Sequence, residues 1–215
     1  MDDLTLKRHV EEELEWEPSL DSADIGVGVE DGVVTLMGHV RTFAEKLAAE
    51  GAVKRVKGVR ALAQNMEVRL SGIPATTDDE LARRAADILE WDVSVPKGAI
   101  QAKVEGGHIT LTGTVNWKYQ SDAAKFRLSN LPGVKGVVNL VKVKAKPAPA
   151  DIRARIEKAL MRNAQTEAKG ISVTVDQGRV TLKGNIDAWH DREIAEQAAW
   201  SAPGVVAVDD QLRLV

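Results

Sequence analysis

Apolar residues along this chain change spacing in a fixed order, from every third or fourth position to every second, and the cycle runs three times. The first stretch of each cycle holds Leu6, Val10 and Leu14, then Leu81, Ala85, Ile88 and Leu89, then Ile152, Ile156, Ala159 and Leu160. These spacings predict an amphipathic helix. Thr77 with Glu80 three residues later adds a capping-box start in the second cycle, and Pro149 and Asp151 punctuate the start of the third.

Strict alternation follows. Ile25, Val27, Val29 and then Val34, Leu36, Val40 point one way, while Gly28, Glu30, Thr35 and Met37 point the other. The third cycle is cleaner, with Val173, Val175, Val180, Leu182 and Ile186 set against Thr174, Asp176, Arg179, Thr181 and Lys183. This period of two predicts a pair of half-buried strands. The glycines Gly32, Gly107 and Gly178 between the two runs supply the positive φ of a hairpin turn.

A second helix is predicted over Thr42 to Lys54, Tyr119 to Asn130 and Asp191 to Ser201, stopped by Lys57-Gly58, Pro132-Gly133 and Pro203-Gly204. A last alternating strand closes each cycle, from Val59 to Val68, Val134 to Val143 and Val205 to Leu214. The element order is α-β-β-α-β, and a right-handed strand-helix-strand crossover puts both helices on one face of a mixed three-stranded sheet.

The three cycles are copies. Leu6 to Val68, Leu81 to Val143 and Ile152 to Leu214 align with no insertion, at offsets of 75 and then 71 residues. Shared residues such as Leu36/Leu111/Leu182 and Gly38/Gly113/Gly184 are all apolar, Gly or Thr, which is what a fold needs and not what catalysis needs. The fold class is therefore α+β in three tandem small domains: 1–70, 76–145 and 149–215. Ser71 to Pro74 reads as a bend and Lys144 to Asp151 as a short spacer. Gly38, Gly113 and Gly184 fall on the inward phase of the second strand, which predicts a bulge or a helix crossing close to the backbone.

Composition narrows the class. With 44% hydrophobic and 28% charged residues the chain reads as an ordinary globular protein. A unit of about 60 residues buries only roughly 60% of the surface its unfolded chain exposes, so extensive inter-domain contacts are expected. Residues 1–73 carry 9 basic and 14 acidic side chains, 74–149 carry 11 and 8, and 150–215 carry 9 and 10. A weakly positive middle copy falls far short of a nucleic-acid footprint. The absence of cysteine excludes disulfides, thiolate metal sites and thiol catalysis. No apolar run approaches a membrane span. The polar, acidic start lacks a signal-peptide pattern, so a cytoplasmic location is expected.

At this point the residues resemble a known family. A window of about 60 residues with this element order is similar to the BON domain, named for bacterial OsmY and nodulation proteins. The motif that carries the resemblance is Gly-x-[Val/Ile]-Thr-Leu-x-Gly-x-[Val/Ile], over 32–40, 107–115 and 178–186, followed by Lys/Pro-Gly-Val. The resemblance covers nearly the whole chain, three times over. It implies a bacterial interaction module of osmotic-stress and envelope proteins, transport-associated, tied to phospholipid or peptidoglycan-proximal surfaces. It carries no catalytic residue.

Candidate chemistry is sparse. His9, His39, His108 and His190 occupy four different columns, none at metal-ligand spacing to another. No nucleophile elbow, P-loop or calcium loop is present. No catalytic, metal or cofactor-binding residue is expected. Trp16 and Trp91 share a column after the first helix and are expected to cap small cores. Trp117, Lys118 and Tyr119, with Lys125 and Arg127 further along, give the second helix of the middle copy an aromatic and basic character that suits an anionic membrane interface. The expected function is a non-enzymatic binding or scaffold protein acting on an unknown protein partner, with an anionic phospholipid surface as the alternative ligand and an enzyme as a remote one. Exposure of Trp117, Lys118 and Lys125 together would favour lipid, and burial between copies a scaffold.

Overall fold

The first helix of every repeat ends up with its predicted stripe facing a sheet. A computed structural model describes residues 2–69, 76–144, 151–162 and 171–214. In repeat 1, α1 (Asp3–Trp16) buries Leu6, Val10 and Leu14, and Asp2 caps it by accepting from the Thr5 N–H at 2.9 Å. In repeat 2, α3 (Asp78–Trp91) buries Leu81, Ala85 and Leu89, and Thr77 Oγ1 accepts from the Glu80 N–H at 3.3 Å. In repeat 3, α5 (Ile152–Arg162) buries Ile152, Ile156 and Leu160. The predicted bend at Ser71 to Pro74 and most of the Lys144 to Asp151 spacer lie outside the described residues.

The hairpins are β1 (Ile25–Glu30) with β2 (Val33–Val40), β4 (Ile100–Glu105) with β5 (His108–Val115), and β8 (Ser172–Asp176) with β9 (Arg179–Ile186), each antiparallel. The second helices α2 (Phe43–Arg55), α4 (Lys118–Ser129) and α6 (Trp189–Trp200) return the chain to a third strand, which pairs parallel to the second. That strand is β3 (Ala61–Val68) in repeat 1 and β10 (Ala207–Leu214) in repeat 3. The sheets are mixed, as the strand-helix-strand crossover predicted, and the second strand is central. Its inward residues Val34, Leu36, Ile109, Leu111, Val180 and Leu182 are wholly buried. Each stabilises its repeat by roughly 1.5–3 kcal/mol relative to exposure.

In repeat 2 the last strand, read from the sequence as continuous, is broken into β6 (Gly136–Asn139) and β7 (Lys142–Val143). Asn139 causes the break: its Oδ1 accepts from the Val141 N–H at 3.2 Å while its amide nitrogen donates to Ser121 on α4. A side chain that bonds its own backbone two residues on competes with the ladder.

Trp16 and Trp91 do not cap cores; they are 84% and 83% exposed. Each lies two residues past the last buried leucine, Leu14 or Leu89, and two residues turn a helix by about 200°. The indole therefore leaves the helix on the side opposite the core.

The repeat glycines answer to backbone approach. At Gly38 and Gly113, φ is +113° and +140°, and an added Cβ would sit 2.0 Å from the Asp24 carbonyl oxygen or 2.1 Å from that of Ala99. The neighbour is the entry to the preceding strand, not a helix. The turn glycines Gly32, Gly107 and Gly178 pack against the loop holding Gly58, Gly133 and Gly204, and their carbonyls accept from Arg60, Lys135 and Val206, each at 2.9 Å. One bond thus ties the hairpin tip to the start of the third strand in every copy. By contacts the chain forms two compact units, Met1–Val115 with Tyr119–Lys142, and Asn116–Lys118 with Val143–Val215.

Candidate binding surface

Helix α4 is where repeat 2 departs most from its sisters. Ser121, Ala124 and Leu128 face the core, so Tyr119 and Phe126, two residues to either side, point away from it. They are 59% and 65% exposed. The equivalent residues are Ala44 and Gly51 in repeat 1 and His190 and Gln197 in repeat 3. Val138 and Leu140, on the face of the sheet away from the helices, are also exposed, where the sisters carry Ala63, Asn65, Asp209 and Gln211. Repeats 1 and 2 both expose large apolar side chains, but the pair on the outer side of a second helix, Tyr119 with Phe126, is particular to repeat 2 and is separated by the sheet from Val138 and Leu140.

The five residues singled out at and just before this helix do not behave alike. Tyr119 is exposed, whereas Trp117, Lys118 and Lys125 are half-buried, so the last three are neither exposed together nor sealed away. Lys118 Nζ stands 5.8 Å from the centre of the Trp200 indole, within its own compact unit and within reach of a cation–π attraction. Arg127 is exposed, and its Nε donates to Asp92 at 3.0 Å. The Ser94 backbone N–H, helped by Arg127, holds the Asp92 carboxyl below the usual carboxylate range. Arg127 therefore ties α4 to the end of α3, as Arg55 ties α2 to Glu13 of α1 and to Glu17 just past its end, each at 2.8 Å.

Beneath the second helices runs a polar seam that hydrophobic periodicity did not signal. In repeat 1, Lys46 Nζ donates to the Met66 carbonyl at 2.8 Å and Gln64 reaches Glu50. Repeat 2 places Ser121 and Asn139 at the same columns, 2.8 Å apart. Repeat 3 places Arg192 there, donating to Asp210 at 2.5 Å and to the Leu212 carbonyl at 2.7 Å, with Nε buried and unpartnered among the described residues. Glu196 lies beside them, and burial together with the Asp210 charge pushes its carboxyl above the ordinary glutamate range. The clue was a polar residue on the inward phase of both the second helix and the third strand in each copy.

Among the described residues no three His, Cys, Asp or Glu side chains converge as a metal ion requires. No described helix is long and apolar enough to cross a membrane. What the surface offers is apolar area with a polar margin, which suits binding.

Comparison with known proteins agrees with the repeat architecture. The BON domain matches three stretches, 2–69, 77–145 and 149–215. The chain belongs to the BON family. A relative, the osmotically-inducible protein Y of Escherichia coli strain K12, is 31% identical over 153 residues, covering 67% of this chain and 74% of its own. Two solved structures of CdsD, a structural protein of the type III secretion system of Chlamydia trachomatis, are also similar, at 17% and 18% identity. The first covers 98% of this chain and 92% of its own, the second 100% of both, each with a TM-score of 0.27. Scores at that level carry no argument about function.

Proposed function

We propose that this three-BON-domain chain is a non-catalytic binding and scaffold protein of bacterial stress or envelope physiology, with repeat 2 as its principal contact module. The observation that carries the reading is the outward pair Tyr119 and Phe126 on α4, at columns where neither sister copy has a large apolar side chain. A relative induced by osmotic stress supports the physiological setting. Three linked modules raise weak single-site affinity through effective concentration when geometry allows joint engagement.

A photo-reactive residue in place of Phe126 tests this reading. In osmotically stressed bacteria it should give a discrete protein adduct that a Tyr119→Ser change weakens. Adducts no different from those at Glu11, an exposed control position on α1, would end the proposal.

A second reading, a peripheral binder of anionic phospholipid surfaces, rests on sequence, with Trp117 just before α4 and Lys118, Tyr119, Lys125 and Arg127 along it in the one net-positive copy, and is weakened by the half-burial of Trp117, Lys118 and Lys125. Sedimentation with vesicles holding anionic lipid, against neutral vesicles and at raised salt, distinguishes it. Charge-dependent binding supports lipid as the ligand, and equal absence from both vesicle types excludes it.

A further inference from the structure

We infer that the hairpin tip of repeat 3 is a preformed receptor for a carboxylate supplied from outside the repeat, as from an acidic peptide. The inference comes from two sister tips that already hold one. In repeat 1 the two-residue turn is Asp31-Gly32, with φ of 50° and 75°. Consecutive left-handed residues aim both N–H groups to one side, forming a small anion-binding concavity. Asp3, in the first turn of α1, fills it: Oδ2 accepts from Asp31 N–H at 2.8 Å and Oδ1 from Gly32 N–H at 3.0 Å. Repeat 2 repeats the arrangement at Gly106-Gly107, with φ of 60° and 82°, where Asp78 of α3 accepts at 2.7 and 3.0 Å.

In repeat 3 the turn is Gln177-Gly178, with φ of 45° and 82°, and the flanking pair at the same register is Asp176 opposite Arg179. The column that holds Asp3 and Asp78 holds Pro149, which has no carboxylate. Asp151, two positions on, is engaged with Arg155 at 2.8 Å. Neither turn N–H donates to a described residue. Gln177 is exposed and Gly178 buried, as Gly107 is buried beside its aspartate. The exposed guanidinium of Arg179 adjoins the tip and favours an anion, while the exposed Asp176 opposes it. The tip thus keeps the receptor geometry, and no described residue closes it. This site lies apart from α4 and does not rest on the function proposed for it.

The test is amide NMR of the full chain titrated with sodium acetate, against sodium chloride at equal ionic strength. Acetate, not chloride, should move the Gln177 and Gly178 amide protons downfield along a saturating curve, leaving Asp31, Gly32, Gly106 and Gly107 in place. Asp78→Ala should then make Gly106 and Gly107 respond, with Asp3→Ala doing the same at Asp31 and Gly32 should the first variant fail to fold. Silence at Gln177 and Gly178 overturns the inference, whether or not the opened sister tips respond. Equal movement at all three tips of the unaltered chain overturns it as well.

Discussion

Gly113 shows how one missing side chain sets a strand's path. With φ at +140° and the Ala99 carbonyl where a Cβ would go, even a methyl group meets backbone that cannot rotate away. Holding an L residue in that region costs roughly 1–3 kcal/mol before the clash is added. Gly113→Ala should therefore destabilise repeat 2 by at least about 2 kcal/mol, read as a lowered urea midpoint. An unchanged midpoint would mean the close approach is not needed for folding.

Glu196 makes a prediction of the opposite kind. Burial and the Asp210 charge raise its carboxyl above the ordinary glutamate range, so the folded protein holds that proton more tightly than the unfolded chain. The stabilisation is complete below the ordinary glutamate range and is lost as pH rises through the raised native value. Glu196→Gln, a neutral mimic of the protonated form, should match the unaltered protein in acid and exceed it in stability near neutral pH. Denaturation midpoints across that interval, measured on both proteins, decide the matter.

At the scale of elements, the first helix does more than cover the sheet. Asp3 and Asp78 reach from helix to hairpin tip across 28 residues of sequence. Asp3→Ala leaves two turn N–H groups without an acceptor and should cost about 1–2 kcal/mol. Hydrogen exchange at Asp31 and Gly32 should quicken more than exchange in β3. Uniform quickening would show that the latch acts on the whole repeat.

Most of this architecture was legible because helix and strand periods differ so plainly in the sequence, and because a glycine at one column of all three copies marks a backbone constraint. The latches were not legible, since an acid in a first helical turn reads equally well as a partner for the helix dipole. The exposed Trp16 and Trp91 were misread because their apolar character was weighed ahead of their angle from Leu14 and Leu89. The polar seam escaped because Lys46, Gln64 and Arg192 sit where burial, taken alone, predicts an apolar residue.

At the scale of the molecule, shared positions build three similar sheets, and difference is confined to what those sheets display. Repeat 2 displays Tyr119, Phe126, Val138 and Leu140, and repeat 3 a hairpin tip with no latch among the described residues. On α4, Tyr119 was singled out from the sequence and Phe126 stands out only from its exposure, while Arg127 is engaged with Asp92. The parallel pairing of second and third strands has a further consequence, for synthesis on the ribosome. A repeat cannot complete its sheet until its final strand has emerged, so each waits with the open edge of its second strand exposed. Repeats 1 and 3 offer third strands of the same length and parallel pairing, the setting in which tandem domains exchange segments and misassemble. The third strands ALAQNMEV and AVDDQLRL share only the first residue between repeats 1 and 3. That divergence, beside central strands that all keep Thr-Leu-x-Gly, disfavours exchange of closing strands between nascent repeats.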